Sequence, residues 1–416
     1  MEAVGPQSSD GEADPLKSHV VSILLATTIV QTFTTWANLV FTPAATVLAL
    51  EFNLPATAIG YQVGLVLFSA MCCSLVAGSI TIAIGARLTL QLALLISGLG
   101  AIVSTFGGLA GIICGSVLIG LGYGLTNPPS AVLLARATSA HNRGLIFSLK
   151  QSGVPLGGVL AAIATPYLTE TYDWRVAAYA VGGVCLASLV VIRVLGQRWG
   201  RKGRFRPARQ FKMSASLKAV LQSKPLSYLT FAAMAFVSVQ MCVMTFVSPF
   251  LVKELGFSLI AAGVFLATAQ VGGTFGRPFW GSVADRIGHN ALMMRIIGAI
   301  MTACLLLVLG LSADISAIWL YLLFFCLGAS AIGWNGIFLA EIADVAGPDK
   351  TSQAVSGAAF FTFLAGVVAP SLFALAKDWT GSYALTIAIL SAIALCGLAL
   401  TFGMSKGARS RLQSEI

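Results

Sequence analysis

RVLGQRWGRKGRFRPARQFKMSASLKAVLQSK, Arg193 to Lys224, is the stretch on which the architecture turns. Ten of its residues are basic: Arg193, Arg198, Arg201, Lys202, Arg204, Arg206, Arg209, Lys212, Lys218 and Lys224. No aromatic stacking pattern accompanies them, so the segment reads as a solvated loop at a lipid surface rather than a nucleic-acid patch. The rest of the chain explains why. Of 416 residues, 57% are hydrophobic and only 10% charged, against about 25% charged in a soluble domain. That deficit excludes a disordered chain, a nucleic-acid module and a soluble enzyme, and leaves a polytopic membrane protein.

Working outward from the basic segment, apolar runs predict six spans on each side, at about 20 residues per span. They are 19–48, 57–83, 88–107, 109–136, 145–168 and 175–196, then 226–252, 258–282, 290–311, 315–343, 351–376 and 383–404. The expected organisation is a cytosolic N-terminal tail (1–18), a six-helix bundle (19–196), a basic cytosolic linker (197–225), a second six-helix bundle (226–404) and a cytosolic tail (405–416). The start of the chain carries Glu2, Asp10, Glu12 and Asp14, which is unlike the basic start of a signal peptide. With both termini cytosolic, only Arg175, Lys253 and Lys377 fall outside and only Lys150 falls within a span, leaving 21 of the 25 Lys and Arg on the cytosolic side. The opposite orientation breaks the positive-inside rule throughout. The eight cysteines all lie in apolar segments without metal spacing and read as packing residues.

The halves echo each other. Glu51 and Glu254 lead the second and eighth spans, each followed nine residues later by a glycine, Gly60 or Gly263. GSITIAIG, Gly78–Gly85, aligns with GSVADRIG, Gly281–Gly288, at the same offset of 203. Later the offset is 208: Asn127 meets Asn335, and Ser148 meets Ser356. Colinear matches of this kind point to a duplicated six-helix unit.

At this point the sequence resembles the major facilitator superfamily, over nearly the whole chain. The sharpest local sign is Gly281, Asp285, Arg286 and Gly288, similar to the superfamily's cytosolic signature of Gly, three residues, Asp-Arg, one residue, Gly. In the first half Ile82 and Ala83 replace the Asp-Arg pair, so the stronger copy here is the second. The resemblance implies an all-α membrane protein of twelve transmembrane helices in two pseudo-symmetric six-helix bundles, a secondary transporter working by alternating access. It also implies a gating latch, to which we assign Gly281, Asp285, Arg286 and Gly288, with Arg143 at the cytosolic entry of the fifth span. The bland alternative for Asp285–Arg286 is an exposed ion pair worth under about 1 kcal/mol.

Polar side chains inside hydrocarbon are costly and therefore candidates for a site. Lys150 reads as the only charge well inside a span, seven residues beyond Arg143, or about 10 Å along the helix. Two placements are open to it, snorkelling to the cytosolic headgroups or facing a central cavity beside Gln151. Asn127 and Asn335 fall at matching mid-depth on the fourth and tenth spans. The family's first, fourth, seventh and tenth spans line its cavity; the resemblance implies the same here and brings in Trp36, Asn38, Gln240 and Trp334. Each amide has the alternative of a plain interhelical hydrogen bond, and each Trp that of plain packing.

No Asp or Glu sits mid-membrane, so proton coupling would run through Glu341, Lys150 or the substrate's own proton. No catalytic motif, metal spacing or phosphate-binding loop is present, and neither enzyme activity nor a cofactor is expected. The leading expectation is uptake of a small organic anion, a carboxylate, by a monomer in the cell inner membrane. Uptake of a neutral heteroaromatic nutrient such as a vitamin, drug or metabolite efflux, and a solute receptor without transport are the alternatives.

Overall fold

The computed structural model describes residues 19–138, 143–199, 213–311, 315–346 and 351–414. The expected N-terminal tail and residues 200–212 of the expected linker lie outside them. Among the described residues every regular element is helical. The first half comprises α1 (Val20–Leu39), α2 (Ala45–Phe52), α3 (Ile59–Ile84), α4 (Ala86–Val103), α5 (Leu109–Gly124), α6 (Asn127–Ala137), α7 (Arg143–Gln151), α8 (Gly153–Thr171) and α9 (Trp174–Leu195). The second comprises α10 (Met213–Leu221), α11 (Lys224–Leu255), α12 (Leu259–Ile287), α13 (Asn290–Leu309), α14 (Ala317–Ala331), α15 (Asn335–Ala346), α16 (Thr351–Thr380) and α17 (Tyr383–Ser414). Twelve helical stretches among these residues are long and apolar enough to cross a membrane, as the apolar runs predict.

Several spans read as continuous from sequence are broken. The first gives way at Val40–Ala44 to α2, because Pro43 lacks an N–H and disfavours a helical Thr42. The fourth breaks between α5 and α6, where Pro128 and Pro129 occupy the opening positions of α6 and cannot donate backward. The fifth breaks at Ser152, three residues before Pro155, and the tenth at Ile332–Trp334. Asn127 and Asn335 each open the second piece of a broken span, α6 and α15. The twelfth helix meets no proline and runs on to Ser414.

The halves meet along α3 with α16 and α8 with α12, and the contacts obey the repeat. A Cβ on Gly60 would lie 2.4 Å from the Pro370 carbonyl oxygen, and one on Gly263 would lie 2.3 Å from that of Ala162. Thr57 donates to Asp378 at 2.6 Å, and the Ile260 amide donates to Glu170 at 3.1 Å. Gly263 and Ile260 stand 203 residues after Gly60 and Thr57; Pro370 and Asp378 stand 208 after Ala162 and Glu170. Thus each contact recurs with the halves exchanged. All four lie at the end of the molecule opposite the start of α1. At the near end the signature glycines Gly78 and Gly281 have open space where a Cβ would go. The halves are therefore pressed together at the far end and loosely packed at these near-end positions.

Candidate substrate site

Lys150 is placed by α8's contact with α1. Gly153 and Gly157 bring the helices so close that a Cβ would lie 2.9 Å from Thr28 O and 2.3 Å from Thr32 O, a small-residue seam of the kind that joins membrane helices. The Lys150 ammonium, carried on the last turn of α7, donates to Gln31 Oε1 at 2.7 Å, Asn127 Oδ1 at 2.7 Å and Gln151 Oε1 at 3.2 Å. The residue is 3% exposed. Its head points inward between α1 and α6, which sets the snorkelling placement aside. An ammonium has three N–H donors and no acceptor. All three are used, and each carboxamide must turn its oxygen toward Lys150 and its NH2 away.

A second cation stands beside it, and Lys150 is not the only charge inside a span. Arg277 reads from sequence as a helix-end residue because the eighth span is expected to stop at 282. Instead α12 continues to Ile287, placing Arg277 about 15 Å, ten residues, from the helix end. Gly272 and Gly276 press α12 against α14, where a Cβ would lie 2.2 Å from Phe325 O and 2.6 Å from Ala329 O. From there Arg277 Nη1 donates to the main-chain oxygen of Gln151 at 2.7 Å, and Nε to that of Ile332 at 3.3 Å. Both carbonyls belong to helix breaks. In an unbroken helix Gln151 O would accept from residue 155, which is Pro155 and has no N–H. Arg277 fills that vacancy across the seam between the halves.

Among the described residues neither cation has an ion-pair partner; the ion pairs present join Arg175 to Glu51 and Asp173. Two like charges with no counter-charge between them repel, so an anion entering beside them is favoured. Tyr123, at the end of α5, places a phenol near Thr35, Gln31 and Arg277.

The other expected site residues divide. Asn127 and Gln151 join Lys150. Asn335 donates to Gln240 Oε1 at 3.4 Å and to Ile332 O at 3.3 Å, sharing a carbonyl with Arg277. Trp36 Nε1 and Asn38 Oδ1 are buried without a hydrogen-bond partner among the described residues, as is Gln270 Oε1 on α12; such atoms cost about 1–3 kcal/mol unless water or a ligand meets them. Trp334 turns the other way: fully buried, it packs edge-on against Phe236 and Phe338 and donates to Ala331 O. Of the gating set, Gly288 adopts φ +69° and closes α12, Gly281 faces open space, and Arg286 is exposed. The side chains of Asp285 and Arg143 lie outside the described set. Sequence reasoning missed Gln31, Tyr123, Gln270 and Arg277. The nearest signals were Pro155, which frees a carbonyl, and the glycine pair that draws α12 inward.

A duplicated bundle of twelve membrane-length helices, with buried polar groups at the seam between its halves, defines a class of polytopic membrane protein. The family model described as Major Facilitator Superfamily matches residues 24–370. The chain belongs to the Major Facilitator Superfamily. An uncharacterised MFS-type transporter of Mycobacterium tuberculosis is 27% identical over 283 residues, 67% of this chain and 60% of that protein; the chain thus spans 60% of that relative's length. The benzoate transport protein of Acinetobacter baylyi is 23% identical over 57% of this chain and 56% of its own. The hexuronate transporter of Bacillus subtilis is 22% identical over 72% and 74%. Among solved structures, a bacterial homologue of the human lysosomal transporter Spinster, inward-facing and unoccupied, superposes with a TM-score of 0.67 at 15% identity, covering 97% of this chain and 96% of that one. At that identity the likeness is one of fold.

Proposed function

We propose that this protein is a secondary transporter that moves a small organic anion, a carboxylate, across the cell inner membrane by alternating access. The carrying observation is the pair of cations at the seam between the halves, buried Lys150 and half-buried Arg277, with no ion-pair partner among the described residues. Two of the relatives are named for carboxylates, benzoate and hexuronate, which agrees with this reading. The turn of Trp334 away from the seam weakens the set on which a neutral heteroaromatic solute rested. Positive-inside charge places both termini and the basic segment in the cytoplasm. In that orientation the tight far-end contacts lie on the non-cytoplasmic side.

The test is ligand-induced stabilisation of the purified full-length protein by carboxylates and by their neutral primary amides. At 100 times its Kd a ligand stabilises by about 2.7 kcal/mol. Acids should raise the melting temperature more than their matched amides at the same concentration. Equal shifts for acid and amide would remove the anion from the proposal.

A further inference from the structure

We propose that Arg277, rather than Lys150, grips the substrate's carboxylate, and that Lys150 is a positioning residue that turns the N–H groups of Asn127 and Gln151 outward to meet it. This rests on the organic-anion reading above and assigns its contacts.

Donor accounting carries the inference. The three Lys150 N–H groups already end on three carboxamide oxygens, so a carboxylate could bind the ammonium only by displacing one of them. Arg277 is different. A guanidinium has five N–H donors, and two of these are used, both on main-chain oxygens. Three remain without an acceptor among the described residues, in the planar fork that matches a carboxylate. The carboxamides follow the same logic. Because Lys150 holds their oxygens, their NH2 groups point away from it. That of Gln31 is taken by Thr35 at 3.3 Å; those of Asn127 and Gln151 have no acceptor among the described residues. Gln151 links the two cations, with its side chain on Lys150 and its main-chain oxygen on Arg277. Asn127 is solvent-exposed although it sits at mid-depth, so an anion can reach it.

The two roles separate in one observable, the preference for an acid over its own amide. A direct ion-pair partner sets that preference. A residue that only orients carboxamides affects the binding of both ligands. The experiment measures affinities of the purified full-length protein for a panel of acids and their primary amides, from benzoate and galacturonate to three- to six-carbon aliphatic acids. The tightest pair is then carried through the variants. Wild type should favour the acid by about tenfold or more, the scale of losing one desolvated charge contact. Arg277→Gln should bring the ratio of amide to acid Kd to about one. Arg277→Lys, which keeps charge without the fork, should lose acid affinity by about threefold or more. Lys150→Gln should weaken acid and amide together by about tenfold and leave the acid still preferred, since the Lys150 charge acts on the anion only at a distance.

Wild-type acid affinity in Arg277→Lys, or collapse of the ratio in Lys150→Gln but not in Arg277→Gln, would overturn the assignment and leave the anion reading standing. Should wild type bind no acid better than its amide, the anion reading fails and this inference with it. If Arg277→Gln does not fold, Arg277→Lys decides.

Discussion

Trp334 and Asn335 are neighbours in the chain and opposites in the fold. Asn335 opens α15 and reaches Gln240 and Ile332; Trp334 fills the core of the second half against Phe236, with ring centroids 5.8 Å apart. We therefore expect Trp334→Ala to cost about 3–5 kcal/mol of stability and to leave ligand affinity of the folded fraction near wild type. Melting curves with and without a bound acid check this; a lost ligand shift at intact stability would return Trp334 to the site. Side chains such as Lys150 and Asn127 were legible because a polar residue in an apolar run is costly and so marks itself. Arg277 was not, since five residues of error in a helix end turned a mid-depth charge into an interfacial one. The direction of an indole was not legible either, because periodicity in a helix buried on most sides gives no preferred face.

At the scale of elements, the chain's breaks organise its chemistry. The α5–α6 break is announced by Pro128 and Pro129 and the α7–α8 break by Pro155, and both could be read in advance. No proline marks the α14–α15 break. There Gly333 packs so closely on α12 that a Cβ would lie 3.1 Å from both Gly276 C and Trp280 Cδ1, a tertiary constraint that no local pattern displays. The glycines between the halves have a matching role. Gly263→Ala places a methyl group 2.3 Å from the Ala162 carbonyl oxygen, which only separation of α8 and α12 at the far end can relieve. A bias of about 1.4 kcal/mol shifts a two-state equilibrium tenfold. We expect Gly263→Ala, and its repeat partner Gly60→Ala, to populate the state open at the far end. Cysteines introduced near Glu170 and Asp378 should then react faster with a membrane-impermeant thiol reagent. Unchanged labelling in both variants would mean that these contacts do not set the conformational balance.

For the whole molecule, the duplication was legible from two offsets, 203 and 208, and the far-end contacts reproduce both. Repeat-related positions tolerate the same close approach because a pseudo-two-fold axis relates the halves. The site departs from that symmetry. The repeat partner of Lys150 is Ala358 and that of Arg277 is Ser74, so each half contributes a single cation from a different helix. The proposed membrane orientation rests on charge alone. A tag inserted between residues 197 and 224 should be reachable only from the cytosol, and labelling of that tag in intact cells by an impermeant reagent would invert the account. The claim that most needs testing is that this protein carries a carboxylate between two seam-facing cations. Counterflow tests it most directly: proteoliposomes preloaded with an unlabelled acid, benzoate or whichever acid of the panel binds best, are diluted into the same acid at trace labelled concentration. Wild type should accumulate label transiently above equilibrium, the matched amide should give a smaller overshoot at the same concentration, and Arg277→Gln should abolish the acid's overshoot. An overshoot of equal size with the amide, or one that survives in Arg277→Gln at matched reconstitution, would contradict it.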